Sequence, residues 1–129
     1  RIGEGEDPLI VWGDGTQTRS FVYVTDVVDG LLRAVERYAV GDPGNLGTEE
    51  EISTAALVQT ISELCGRAPR VVFDPSRPSG QARRRGDIRK ARARLGLTPQ
   101  VGLREGLRRA IQWYLEKRVA SEAGAPQTR

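Results

Sequence analysis

A single cation stands where an anion could be held. In the run Val11-Trp12-Gly13-Asp14-Gly15-Thr16-Gln17-Thr18-Arg19-Ser20-Phe21-Val22-Tyr23-Val24-Thr25-Asp26, a glycine turn leads into an apolar run with Arg19 at its entrance. A helix-start signal follows at once. A guanidinium fixed at the mouth of such a β–α unit presents a planar fork of donors that matches phosphate oxygens. More cations follow in a loop stiffened by Pro75, Pro78, Gly80 and Gly86, which carries Arg77, Arg83, Arg84 and Arg85. Arg83-Arg84-Arg85 also reads as a solvated charge run.

Other chemistries are excluded by what the chain lacks. It has no histidine, so no Ser-His-Asp or Cys-His site and no Cys/His zinc site can be built from it. Its one cysteine, Cys65, rules out an internal disulfide and points to the cytosol. Cys65 precedes Gly66 at a helix end and reads as a small packed side chain. Asp26 fits the first turn of a helix better than the role of a catalytic acid. No candidate catalytic or metal-binding residue emerges.

Charge is unevenly spread. The formal net charge is +3, yet residues 1–76 carry 6 basic and 13 acidic side chains while residues 77–118 carry 13 basic and 3 acidic. That asymmetry suggests an anion-facing surface in the second half. No apolar run approaches the about 20 residues that a membrane span needs. The chain has no methionine and no apolar signal segment near Arg1, so the expectation is a piece of a longer protein, cut on its N-terminal side.

These groups need elements to position them. Leu9–Trp12 reads as a strand ended by the Gly13-Asp14-Gly15 turn, and Phe21–Val24 as a second strand. With Thr25 as N-cap, Val27, Val28, Leu31, Leu32 and Val35 define the apolar face of a helix over 26–38. Asn45-Leu46-Gly47 is a short strand or turn. Ser53 caps a helix with Leu57, Val58, Ile61 and Leu64 on one face, and Gly66 suits a left-handed C′ position. Arg70–Phe73 is a strand, and 74–86 a loop. Asp87 caps a short helix, 88–95, stopped by Gly96. A last helix spans about 103–118, with Trp113 and Tyr114 packing it. Strands alternating with helices give an α/β or α+β fold. Residues 1–118 form one unit, and 119–129 a small polar tail expected to be disordered.

In ordered set and spacing, the chain resembles the C-terminal part of an extended short-chain dehydrogenase/reductase, the nucleotide-sugar epimerases, dehydratases, decarboxylases and reductases. Three blocks carry the resemblance between about Leu9 and Tyr114. They are the opening run from Gly13 to Asp26; Asn45-Leu46-Gly47-Thr48 with Glu51-Ile52-Ser53; and Arg77 to Arg83, then Asp87, Lys90-Ala91, Leu95-Gly96, Pro99 and Leu103-Arg104-Glu105-Gly106-Leu107. The resemblance implies that Arg19 and Arg77 grip the pyrophosphate of a nucleotide-diphosphate sugar. It puts Trp12 where GDP-fucose synthase-like members place a tryptophan against the guanine, and Phe21 near the substrate. Arg83 is a further ligand candidate in that loop. Leu97 replaces a usual tryptophan and Gly102 a usual serine cap.

The resemblance also implies what lies elsewhere. The family binds NAD or NADP through a Rossmann half whose glycine-rich turn opens a helix. Gly13-Asp14-Gly15 is followed by a strand signal and is not that turn. The family's Tyr-x-x-x-Lys is absent too, since Tyr114 and Lys117 are one residue too close. The chain alone is therefore expected to do no chemistry, the parent enzyme being a cytoplasmic homodimer with no membrane partner. Two other readings stand beside this one: a stand-alone, non-catalytic binding or scaffold protein, and a nucleic-acid module using the basic 77–118 segment. The acidic first half and the lack of aromatics between the arginines speak against nucleic acid.

Overall fold

The computed structural model describes residues 5–124, with side chains to Val119. In chain order the elements are β1 (Leu9–Trp12), β2 (Thr18–Arg19), α1 (Val24–Arg37), β3 (Ile52–Ser53), α2 (Thr54–Leu64), β4 (Val71–Asp74), β5 (Arg83–Arg84), α3 (Arg89–Leu95) and α4 (Leu103–Gly124). The fold is α/β. β1 and β4 pair in parallel, Leu9 opposite Val71 and Trp12 opposite Asp74. A second ladder runs β3-β2-β5, antiparallel between β2 and β3 and parallel between β2 and β5. Among the described residues no helix is long and apolar enough to cross a membrane.

Most elements lie where periodicity puts them. Ser53 caps α2 as expected, its Oγ accepting from Ala56 N at 3.2 Å. Gly66 has φ +62°, beyond the last turn. Several expectations need correction. Phe21–Val24 is not a strand: β2 ends at Arg19, and the Tyr23 carbonyl already accepts from the Asp26 and Val27 amides, so α1 begins at Val24 with Tyr23, not Thr25, as N-cap. β-prone residues need a ladder to join, and the neighbouring strands are two residues long. The 74–86 loop contains β5, and Asn45-Leu46-Gly47 forms no strand. Asp87 lies one residue ahead of the observed N-cap of α3, Ile88; its carboxylate accepts from Arg89 N at 2.9 Å. α4 runs on through Gly124, into the tail expected from 119; the rest of that tail, 125–129, lies outside the described residues.

The core is small and one-sided. Ala91, Leu95 and Leu97 pack with Ala34, Tyr38 and Leu46 between α1 and α3, and Ile88 beside them is 1% exposed. Leu97 is fully buried. A Cβ on Gly30 would lie 3.0 Å from Leu46 Cδ2, so glycine lets α1 come close. The buried face of α1 is thus Asp26 and Gly30, not its apolar stripe: Val28, Leu31, Leu32 and Val35 are exposed, Val35 by 75%. Trp113 and Tyr114 likewise do not pack α4 inward; both are exposed. A second apolar surface is a groove between β1, α2 and α4, lined by Ile10, Trp12, Ile61, Cys65, Ile111 and Leu115.

The charge asymmetry of the sequence is largely answered within the molecule. Arg83 and Arg85 pair with Glu51, Lys90 with Asp42, Arg92 with Glu49 and Arg104 with Glu63. The acidic first half and the basic second half are stitched together across long sequence separations. Buried Asp26 does similar work without a cation: its two oxygens accept from the Gln100 and Val101 amides, each at 3.1 Å, fixing the approach to α4.

Candidate functional site

The site is built on the Gly13–Gln17 turn. Gly13 and Gly15 have φ of +86° and +82°, where a side chain is strained. Space forbids one as well. A Cβ on Gly15 would lie 2.5 Å from the Phe73 ring, and one on Gly13 2.7 Å from Ser79 Cβ. The turn is bare so that the ring of β4 and the loop after β4 can sit against it. Asp14 Oδ1 closes the turn by accepting from Thr16 N at 2.9 Å and Thr16 Oγ1 at 2.7 Å, bonds that lower its pKa. Gln17 Nε2 donates to the Trp12 carbonyl at 3.2 Å.

This packing brings two of the expected cations toward one place. Trp12 and Asp74 are opposed at the C-terminal ends of β1 and β4, the end of parallel strands where ligands bind in α/β folds. Arg77 lies with its guanidinium 5.8 Å from the Trp12 ring centroid and its Nε 3.4 Å from the Asp74 carboxylate. Asp74 is held ionised below its ordinary pKa, first by the Ser76 hydroxyl and further by Arg77. Arg19 reaches the same loop: Nη1 donates to the Thr18 carbonyl at 2.6 Å and Nη2 to the Ser79 carbonyl at 3.5 Å. Trp12, the last residue of β1, is 55% exposed, with the Arg77 cation over its ring.

Arg83 does not join them. In the β2–β5 register Thr18 stands opposite Arg83 and Arg19 opposite Arg84. Residues opposite one another share a face and successive residues alternate. Arg19 and Arg84 therefore leave one face, Thr18 and Arg83 the other. On that other face Glu51 accepts from Thr18 Oγ1 at 3.0 Å, from Arg83 Nη2 at 2.5 Å and from Arg83 Nε at 2.9 Å, with Arg85 Nε at 3.5 Å. The Arg83 fork, then Thr18 and Arg85, bring the Glu51 pKa down to about 2. Arg83 is committed to structure. Arg84, which sequence reasoning passed over, is exposed, and its side chain has no ion pair among the described residues. Strand alternation was the available signal: three successive arginines cannot all face one ligand.

Phe21 is 44% exposed and lines an apolar groove with Tyr23, Leu57, Val101 and Leu103. The arrangement offers fixed cationic donors and an exposed indole. It offers no metal site, since no group of three or more His, Cys, Asp or Glu side chains clusters among the described residues. The Gly13–Gly15 turn opens into β2, not into a helix N-terminus of the kind that receives a pyrophosphate.

Comparison with known proteins gives this site its context. Residues 1–47 match the model of the NAD dependent epimerase/dehydratase family. The chain is 36% identical over 117 residues to UDP-glucuronic acid decarboxylase 1 of Arabidopsis thaliana, covering 91% of this chain and 27% of that protein. It is 33% identical to putative GDP-L-fucose synthase 2 of the same plant, covering 88% of this chain and 34% of the relative. UDP-glucose 4-epimerase from Thermotoga maritima, solved with UDP-glucose, superposes with a TM-score of 0.83 at 31% identity, over 91% of this chain and 37% of that one. The chain thus spans about a third of the length of the proteins it matches, and the likeness covers nearly all of it. On these matches, the chain belongs to the NAD dependent epimerase/dehydratase family of extended short-chain dehydrogenases/reductases.

Proposed function

We propose that this chain is the part of an NAD(P)-dependent nucleotide-sugar epimerase, dehydratase, decarboxylase or reductase that grips the pyrophosphate of the nucleotide-diphosphate sugar. Arg19 and Arg84 supply donors from one face of the β2–β5 ladder, and Arg77 from the loop that Arg19 touches. Trp12 offers its ring to the base, with Arg77 either remaining over the indole or turning to the phosphates. Phe21 lines the groove on the sugar side. The observation that carries this reading is that Arg19 and Arg84 share a face that holds no carboxylate partner for either among the described residues, while the neighbouring arginines are paired.

In this reading NAD or NADP supplies hydride transfer and is held by residues outside these 129. The chain's own contribution is binding energy remote from the reacting carbon, which orients the sugar. By itself it does no chemistry: no tyrosine in it is followed four residues on by a lysine. The exposed stripe of α1 and the groove between β1, α2 and α4 are surfaces for the rest of the enzyme, a cytosolic homodimer. The isolated 129 residues then self-associate or unfold without cooperativity. Nucleic acid is disfavoured because the basic segment is neutralised from within.

The test is isothermal titration of the full-length protein with UDP-, GDP- and dTDP-sugars. One of them binds, and Arg19→Ala weakens it by at least about tenfold, the effect of losing a charge-assisted hydrogen bond. Binding that is indifferent to Arg19→Ala sinks the proposal.

A further inference from the structure

Three consecutive arginines, Arg83, Arg84 and Arg85, pass the ladder at β5, and only the middle one leaves on the face of Arg19. What holds that choice is not burial, since residues 81–86 are all exposed. Nor is it a long ladder, because β5 pairs over two residues only. A one-residue slip in a strand exchanges its faces. Here it would turn Arg83 and Arg85 toward Arg19 and withdraw Arg84. Short, exposed and polar strands are the ones whose register is weakly specified.

We propose that Glu51 is a positioning residue that locks the register of β5 on β2 and thereby presents Arg84, rather than Arg83 or Arg85, beside Arg19. The inference rests on the reading that this face binds a nucleotide diphosphate. One Glu51 carboxylate ties three strands: it directly precedes β3, accepts from Thr18 of β2, and takes both Nε and Nη2 of Arg83 in β5. A planar guanidinium held by two of its nitrogens has a fixed direction, so its strand cannot rotate. Arg85, two residues on, leans on the same carboxylate. The native register gives Glu51 two arginines, and the slipped register gives it one. Ile88, fully buried, anchors the chain downstream, and the Asp87 carbonyl accepts from Asn45 Nδ2 at 3.2 Å, so it is over the short β5 itself that the register has to be held. Glu51 and the ligand lie on opposite faces, so it acts only through the strand between them.

The test is isothermal titration of the full-length protein with UDP and with GDP, reported for whichever binds better. Arg84→Ala is expected to weaken binding about tenfold and Glu51→Ala about fivefold, by analogy with lost charge-assisted contacts. The double variant Glu51→Ala/Arg84→Ala should bind no worse than Arg84→Ala alone, because both remove one presentation. Exchanging the pair, Glu51→Arg with Arg83→Glu, should restore affinity that Glu51→Arg alone loses. Additive losses in the double variant overturn the proposal, as does a Glu51→Ala variant that binds like the parent while Arg84→Ala does not. If Glu51→Ala does not fold, Glu51→Gln, equal in size and still able to accept from Thr18, carries the same cycle. Should Arg19→Ala and Arg84→Ala both leave binding intact, the underlying reading fails, and that outcome is distinct from a failure of Glu51 alone.

Discussion

The two faces of the β3-β2-β5 ladder are made from the same residue types and behave oppositely. On one face Thr18, Arg83 and Arg85 converge on Glu51, and their charge is spent within the molecule. On the other, Arg19 and Arg84 stand side by side with no carboxylate between them among the described residues. The closed face is a clamp, and the open face is the one we propose as the receptor. The lesson is that arginine content alone does not distinguish the two faces; the presence or absence of an internal counter-charge does. Over the basic segment as a whole, Lys90, Arg92 and Arg104 side with the closed face, each paired to an acid from the first half.

The comparison is broken most severely from beneath. Gly15→Val combines a forbidden backbone conformation with a clash on Phe73 and should cost roughly 2–5 kcal/mol, collapsing both faces. Thermal or denaturant unfolding of the full-length protein reads it; an unshifted midpoint would mean that the turn does not support the site. Next in size is the open face. Arg19→Ala/Arg84→Ala together should weaken nucleotide-diphosphate binding about a hundredfold while the unfolding midpoint moves little, since neither residue has a carboxylate partner among the described residues. Loss of stability instead of affinity would make it a second clamp.

The closed face has a pH signature. The folded state holds Glu51 at about 2 against an ordinary 4.5. A depressed carboxylate contributes stability that is fully present above the unfolded value and is lost as pH falls toward the folded one. Between about 4.5 and 2 the clamp should therefore weaken, and Glu51→Gln should flatten that part of an acid-unfolding curve. A curve identical to that of the parent would deny Glu51 its role. Smallest of all is Arg104→Ala, which breaks an exposed pair with Glu63 and should barely move the unfolding midpoint.

How much of this was legible beforehand differs by residue. Ser53 and Gly66 were readable because capping is local: one hydroxyl three residues from its amide, one glycine past the last turn. Arg19 and Arg77 were expected as a pair only through the family resemblance; the structure brings each of them to the loop after β4. The helix over α1 was readable but its buried face was not. Periodicity says that a stripe is apolar, not what covers it, and here close packing on Gly30 selected the other side. Phe21–Val24 failed as a strand because β propensity is realised only against a partner, and none reaches it. Asp26 looked like a dipole partner, whereas its main use is on two amides some 75 residues away.

The sequence by itself determined the order of the helices and of the two longer strands, the absence of histidine chemistry from these residues, the glycine turn and the cations that follow it. These follow from composition and from interactions within a few residues. Only the tertiary structure decided which arginine faces outward, because that depends on a register of two residues between strands more than 60 positions apart. One step along β5 exchanges Arg83 for Arg84, and nothing in the order Arg83-Arg84-Arg85 says which step the chain takes. Contact with Glu51 does.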